Sequence, residues 1–441
     1  MTAAGPRPTA EEEVVGIAVD LLRIDSSNYG DGSGPCEREA AEYVATSLAD
    51  VGLEPEVFES APRRTSVVVR IPGADPSLPA LVVHGHTDVV PAEASDWTVH
   101  PFSGEERDGL LWGRGAVDMK DMDAMILSVV RQMVREGARP ARDLVVAFFA
   151  DEEAGGVYGA RYAVDTRPEL FEGATEAISE VGGYSVEIAG RRAYLLQTAE
   201  KGIGWLRLVA EGRAGHGSAV NTENAVTELA AAVARIGAHP WPMHLTPTVR
   251  QLLRGVADLT GLPYEPEDEA AVQRLVDALG TAQRFVAATL RNTVNPSRLD
   301  AGYKTNVVPG RATAELDCRF LPGQEEEVRA TVARLAGEKV RVETIHSDVA
   351  LEVPFEGDLV DAMSAALVAE DPDALVLPYA LSAGTDNKSL SRLGITGYGF
   401  APVQLPADLD FPALFHGVDE RIPVDALRFG ARVLDRLLRS Y

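Results

Sequence analysis

Residues 144–156 read LVVAFFADEEAGG. An uninterrupted apolar run of this length marks a strand buried on both faces, here Leu144–Ala150, and such strands belong to sheets covered by helices. The run breaks directly into Asp151, Glu152 and Glu153, followed by two glycines. Three carboxylates at the end of a buried strand repel one another and lose hydration unless a cation is present. A solvated acidic loop is the ordinary alternative, but such loops rarely follow immediately on a buried run.

Working outward, further strand-like runs fall at Ser66–Ile71 and Ala80–Val83. Helical stripes are expected from Thr9 to Leu22, from Cys36 to Val51 with Gly52 ending it, and from Asp121 to Glu136 closed by Gly137. Apolar runs alternating with helices predict an α/β domain with a central, mostly parallel sheet. The middle of the chain reads differently. It opens with a strand at Gly204–Ala210 and a helix from Asn224 to Ile236, then a Pro-rich, Trp-containing stretch, His239–Pro247. Helical sequence continues to Ala288, and Ala312–Phe320 follows Pro309-Gly310 as a strand; the chain ends in an amphipathic helix, Val424–Leu438. The economical arrangement is one α/β domain, 1–200 with 321–441, interrupted by an inserted α+β domain at 201–320. No internal repeat or low-complexity tract is evident.

At 441 residues the chain carries 46% apolar and 24% charged residues, which excludes disorder throughout. Lys plus Arg number 41 against 67 Asp plus Glu, a formal charge of −26. That balance argues against nucleic-acid and anionic-lipid partners, both of which select basic surfaces. The imbalance is uneven: 201–320 holds 13 basic and 12 acidic residues, leaving 28 and 55 elsewhere. Chance or surface solvation would explain this equally well. Cys36 and Cys318 cannot build a disulfide framework and suit a reducing compartment. The opening MTAAGPRPTAEEEVV has no apolar core of leader length, and no run approaches a membrane span of about 18 residues. A soluble, cytoplasmic protein is expected.

Three more segments carry candidate chemistry. In VVHGHTDVVP, His84, His86 and Asp88 leave the end of a strand on one side, because extended residues alternate. One such histidine alone is more simply a satisfied buried polar group. LWGRGAVDMKDMDAM sets Asp118 in a Gly-bounded loop before a helix. Ordinary N-capping would explain Asp121 there, but not Asp118. Glu180 in AISEVGG and His416 in LFHGVDERIP would be unremarkable singly. Together His86, Asp118, Glu153, Glu180 and His416 supply a mixed nitrogen and oxygen donor set from five loops. Such a set suits Zn²⁺, with Co²⁺ or Mn²⁺ as substitutes, and a shared carboxylate would allow two metals. Asp88 is placed to orient His86, and Glu152 to act as general base toward water.

These motifs, in order from HGHTDVVP to FHGVDERIP, resemble those of M20-type metallopeptidases, the group of aminoacylase, carboxypeptidase G, acetylornithine deacetylase and succinyl-diaminopimelate desuccinylase. The resemblance implies a zinc-peptidase-like catalytic domain interrupted by a lid or dimerisation domain. It implies that His86, Asp118, Glu153, Glu180 and His416 bind two zinc ions, Asp118 bridging, with a cis peptide at Asp118-Met119. It further implies Glu152 as acid/base, Asp88 as the carboxylate orienting His86, and His216 in RAGHGS as the histidine that reaches the reacting carbonyl, in many members from a partner subunit. Asn306, Arg319 and Gly384-Thr385 match substrate-facing positions, the last three for a carboxylate. The chain departs from the family pattern at Asp121, where glycine is common, and at Lys388, where arginine is frequent. The expected activity is cleavage of the amide of a peptide or N-acyl amino acid with a free carboxylate. A homodimer through the lid is implied. A dipeptidase of the same fold is the alternative, and a non-catalytic metal-binding scaffold a further one.

Overall fold

A computed structural model describes residues 7–441. The first six residues of the N-terminal stretch read for a leader lie outside it. Ten strands form the main sheet. Its centre runs Leu144–Phe149, Ala80–His86, Ala174–Ser179, Thr396–Gly399, each parallel to the next in that order. Antiparallel pairs flank that centre: Arg64–Ile71 and Glu56–Ala61 on one margin, and on the other Arg191–Glu200, antiparallel to Thr396–Gly399, Tyr184–Ile188 and Leu351–Glu352 but parallel to Leu375–Leu381. The strands alternate their side chains between two cores. Leu81 and Val83 pack with the helices Ala10–Arg23, Lys120–Glu136 and Val424–Ser440, while Val82, Val145 and Phe149 pack with Ala160, Ala163 and Leu390 on the opposite face.

Local signals explain most boundaries. Thr9 caps the first helix in a reciprocal box with Glu12, Asn224 caps Ala225–Gly237, and Gly137 closes Lys120–Glu136 at φ 67°. The helix expected from Cys36 begins later, at Arg38, because Cys36 itself sits at φ 59°. The N-cap role expected for Asp121 is not observed. Met119 occupies that position without a side-chain bond, and Asp121 is buried inside the first turn.

A second, four-stranded sheet runs in the order Thr293–Ala301, Arg311–Phe320, Gly202–Glu211, Val340–Asp348, all antiparallel. Its inner face and the helices Ala225–Gly237 and Glu325–Ala336 make a separate core around Leu206, Leu208, Leu229, Leu316, Val328 and Val332. This unit and the expected insertion overlap without coinciding. The fourth strand lies beyond residue 320. Conversely, the helix Pro247–Thr260 buries Val249, Leu252, Leu253 and Val256 in the main core. A near-neutral charge follows the chain segment, whereas the cores follow apolar stripes. Among the described residues, no helix is long and apolar enough to cross a membrane.

Candidate metal centre and substrate cleft

Parallel strands end on one edge of a sheet, and loops leaving that edge build the site. His86 ends Ala80–His86, Glu152 and Glu153 follow Leu144–Phe149, and Glu180 follows Ala174–Ser179. Asp118 precedes the helix Lys120–Glu136 across a cis peptide to Met119, and His416 precedes the strand Arg421–Pro423. Two glycines permit the close turns. A Cβ at Gly159 would lie 1.7 Å from the Ala150 carbonyl oxygen, and one at Gly182 would lie 1.9 Å from that of Gly399.

Two triads result, sharing Asp118. His86, Asp118 and Glu180 form one, and Asp118, Glu153 and His416 the other, each with candidate ligand atoms within 4.8 Å of one another. His86 Nε2 stands 3.2 Å from Asp118 Oδ1 and 3.6 Å from Glu180 Oε2. His416 Nε2 stands 3.2 Å from Asp118 Oδ2 and 3.0 Å from Glu153 Oε2. Glu152 Oε2 lies 3.9 Å from His86 Nε2, on the cleft side.

Crowding shows in the ionisation. Burial, then the Glu180 charge, pushes the Glu152 carboxyl well above its ordinary range. Burial, then Asp118, raises Glu153, and burial carries Glu180 up to about 7. Burial would raise Asp118 too, but hydrogen bonds from His416 and His86 hold it well below the usual carboxylate range. Hydrogen bonds to Asp118 and Glu153 carry His416 up to about 10. A divalent cation in each triad would remove the repulsion that raises these acids, and one imidazole nitrogen with two carboxylate oxygens suits it. The donor set therefore fits metal.

Asp88 is the hub behind the site. His86 Nδ1 is 3.3 Å from Asp88 Oδ1 and 3.0 Å from its carbonyl oxygen. The same carboxylate accepts the backbone N–H of Glu152 and of Glu153, each at 3.1 Å. Asn28 Nδ2 donates to Asp88 at 2.8 Å, and Arg64 holds Asn28 at 2.6 Å while pairing with Glu37 at 2.5 Å. On the opposite side, Glu420 accepts the N–H groups of Gly115, Val117 and Asp118 and pairs with Arg114 at 2.6 Å. Sequence reading passed over Asn28, Arg64, Arg114 and Glu420. The signal for Glu420 was available: an acid four residues after His416 in HGVDE.

A cleft of about 220 Å³ opens over Glu152, Glu153 and His416 and reaches Arg319, Gly384 and Thr385. Arg319 is forked onto Asp317 at 2.8 and 3.2 Å, and Lys388 Nζ donates to the Lys201 carbonyl at 2.6 Å. His216 and Asn306 do not line this cleft. Both are exposed on a two-stranded ribbon, Gly215–His216 with Val307–Val308, and His216 Nδ1 is 2.8 Å from Ser218 Oγ. Asp121 and Asp123 are buried beneath the site, and burial pushes both well above the ordinary range.

The chain is similar to known proteins in sequence and fold. The sequence model of peptidase family M20/M25/M40 matches residues 82–440. Human aminoacylase-1 is 27% identical over 447 residues, covering 99% of this chain and 97% of that protein. The mouse N-fatty-acyl-amino acid synthase/hydrolase PM20D1 is 26% identical over 450 residues, covering 95% and 86%. Among solved structures, the M20 family metallo-carboxypeptidase Sso-CP2 from Sulfolobus solfataricus superposes with a TM-score of 0.73 at 18% identity, covering 97% of this chain and 98% of that one.

Proposed function

The chain belongs to peptidase family M20/M25/M40, it is a hydrolase, and from that premise we propose that it cleaves the amide bond of a peptide or N-acyl amino acid bearing a free carboxylate. The observation that carries this reading is the pair of His-carboxylate triads sharing Asp118, with Glu152 and Arg319 lining one cleft beside them. His86 and Glu180 would hold one zinc ion, Glu153 and His416 the other, and Asp118 both; Co²⁺ or Mn²⁺ could substitute. Bound there, two divalent cations would supply Lewis-acid polarisation of the carbonyl and make water more acidic.

Glu152 Oε2 takes the proton of the attacking water and returns it to the leaving amine nitrogen. Its place on the cleft side, 3.9 Å from His86 Nε2, puts it within reach of water and leaving amine alike for both directions of that transfer. Asp88 accepts from His86 Nδ1, fixing the tautomer that leaves Nε2 free toward the metal. Arg319, Gly384 and Thr385 hold the substrate carboxylate, Arg319 through the guanidinium N–H groups that Asp317 leaves free. The exposure of His216 and Asn306 away from their own cleft supports their supply from a partner subunit in a homodimer, where His216 would stabilise the oxyanion. A reducing compartment, the cytoplasm, suits two free cysteines.

The test is a panel of N-acetyl amino acids and dipeptides, run on chelated and on zinc-restored protein. Hydrolysis that vanishes with chelation and returns with zinc is expected. Zinc uptake without turnover of any panel member would favour a metal-binding scaffold, and turnover of dipeptides alone would favour the dipeptidase reading.

A further inference from the structure

The strand Gly202–Glu211 alternates between two environments. Leu206 and Leu208 are buried in the second core, and Phe320 fills the space beside Gly204. Ile203 and Trp205 face the other way and line the same cleft as Glu152 and His416. The neighbouring strand Val340–Asp348 adds His346, opposite Trp205, with ring centroids 5.1 Å apart. Trp205 is 41% exposed, so an aromatic face stands open inside a cavity whose other wall holds the catalytic carboxylates.

Register decides which part of a substrate meets that face. Ile203 lies directly opposite Arg319, and Trp205 opposite Asp317. Trp205 and Arg319 are thus diagonal neighbours on one face of the sheet, about 7–8 Å apart across the strand pair. A carboxylate held by Arg319 and the side chain on the adjoining α-carbon span that separation. The acyl group lies across the amide, on the side of Glu152. Asp348, also lining the cleft and opposite Ile203, makes an acidic side chain unwelcome there.

We infer that Ile203, Trp205 and His346 form the side-chain subsite, which selects substrates whose carboxylate-bearing residue carries a large apolar or aromatic side chain. This rests on the reading of the Arg319 end of the cleft as the carboxylate site. Aromatic pairs gain from edge-to-face or offset contact beyond the area they bury, so phenylalanine-like side chains rank first.

The experiment has two arms on zinc-loaded protein. In the first, kcat and KM are measured for N-acetyl-phenylalanine, N-acetyl-leucine, N-acetyl-alanine and N-acetyl-glutamate on wild type, Trp205→Ala and Trp205→Phe. In the second, calorimetry compares binding of the uncleavable amines N-ethyl-phenylalanine and N-ethyl-alanine. Wild type is expected to favour phenylalanine over alanine by about tenfold or more in kcat/KM and in affinity. Trp205→Ala should carry that ratio toward one, mainly through KM, and Trp205→Phe should restore part of it. A preference that is absent in wild type, or that survives Trp205→Ala in both arms, overturns the subsite. Absence of hydrolysis with a Trp205-dependent binding preference would instead sink the proposed reaction and leave the subsite standing.

Discussion

Glu420 and Asp118 are joined through the backbone: Glu420 Oε1 accepts the N–H of Asp118 at 3.2 Å and that of Val117 at 2.7 Å. One fully buried carboxylate therefore fixes the loop carrying the shared residue of both triads, from a position four residues after His416.

Replacing Glu420 with Ala leaves Arg114 and three backbone N–H groups without their acceptor. Breaking a buried ion pair in this way costs about 3–5 kcal/mol. A fall in unfolding free energy of that order, read by chemical denaturation, is expected. Glu420→Gln should be milder in stability yet still weaken metal binding, measured by competition with a chelator.

Asp88 serves His86 and both glutamate N–H groups at once. Asp88→Asn keeps the shape but removes the charge that favours the ring tautomer, so metal affinity should drop about 10–100-fold. An unchanged affinity would remove Asp88 from its assigned role.

Gly182 lies against Gly399 with no room for a methyl group. Gly182→Ala must push the two loops apart, an overpacking cost of about 1–3 kcal/mol. Because Glu180 is two residues away, metal binding should weaken along with stability. Loss of stability with full metal affinity would show that Glu180 is held independently.

Lys201 is buried, with Nζ donating to the Ala288 and Arg291 carbonyls at 3.0 and 2.7 Å. Burial, then the Arg319 charge, lowers its ammonium to about 7 from the ordinary 10.5. Between those values the unfolded chain binds more protons than the folded one, so this group makes stability rise with pH across that window. The penalty of Lys201→Met should accordingly grow between pH 7 and pH 9, up to about 1.4 kcal/mol per pH unit. Denaturation of both proteins at each pH checks it; a constant penalty would contradict it.

The parts legible in sequence were those that chain-local chemistry writes. The apolar run into Asp151-Glu152-Glu153, the HGHTD strand exit and the helix stop at Gly137 each depend on neighbours only a few residues away. Tertiary partnerships were not legible. Arg64 reaches Asn28 and Glu37 across the fold, and Glu420 meets the Asp118 loop 302 residues away. Trp205 and His346 come together only through strand pairing. Asp121 shows the converse failure. An acid in a first helical turn is ordinarily a solvated dipole partner, but this turn lies beneath the site, so Asp121 is buried. Charge also marked the insertion only approximately, because the helix Pro247–Thr260 returns its apolar stripe to the main core.

The central claim is that Glu152 moves the proton while His86, Asp118, Glu153, Glu180 and His416 hold the metal. Its most direct test is Glu152→Gln, with bound metal and turnover measured on the same sample. Two metal equivalents per chain as in wild type, with kcat lowered by about 10²–10⁴-fold, is the expected result. Turnover retained at the wild-type level, with metal still bound, would contradict it.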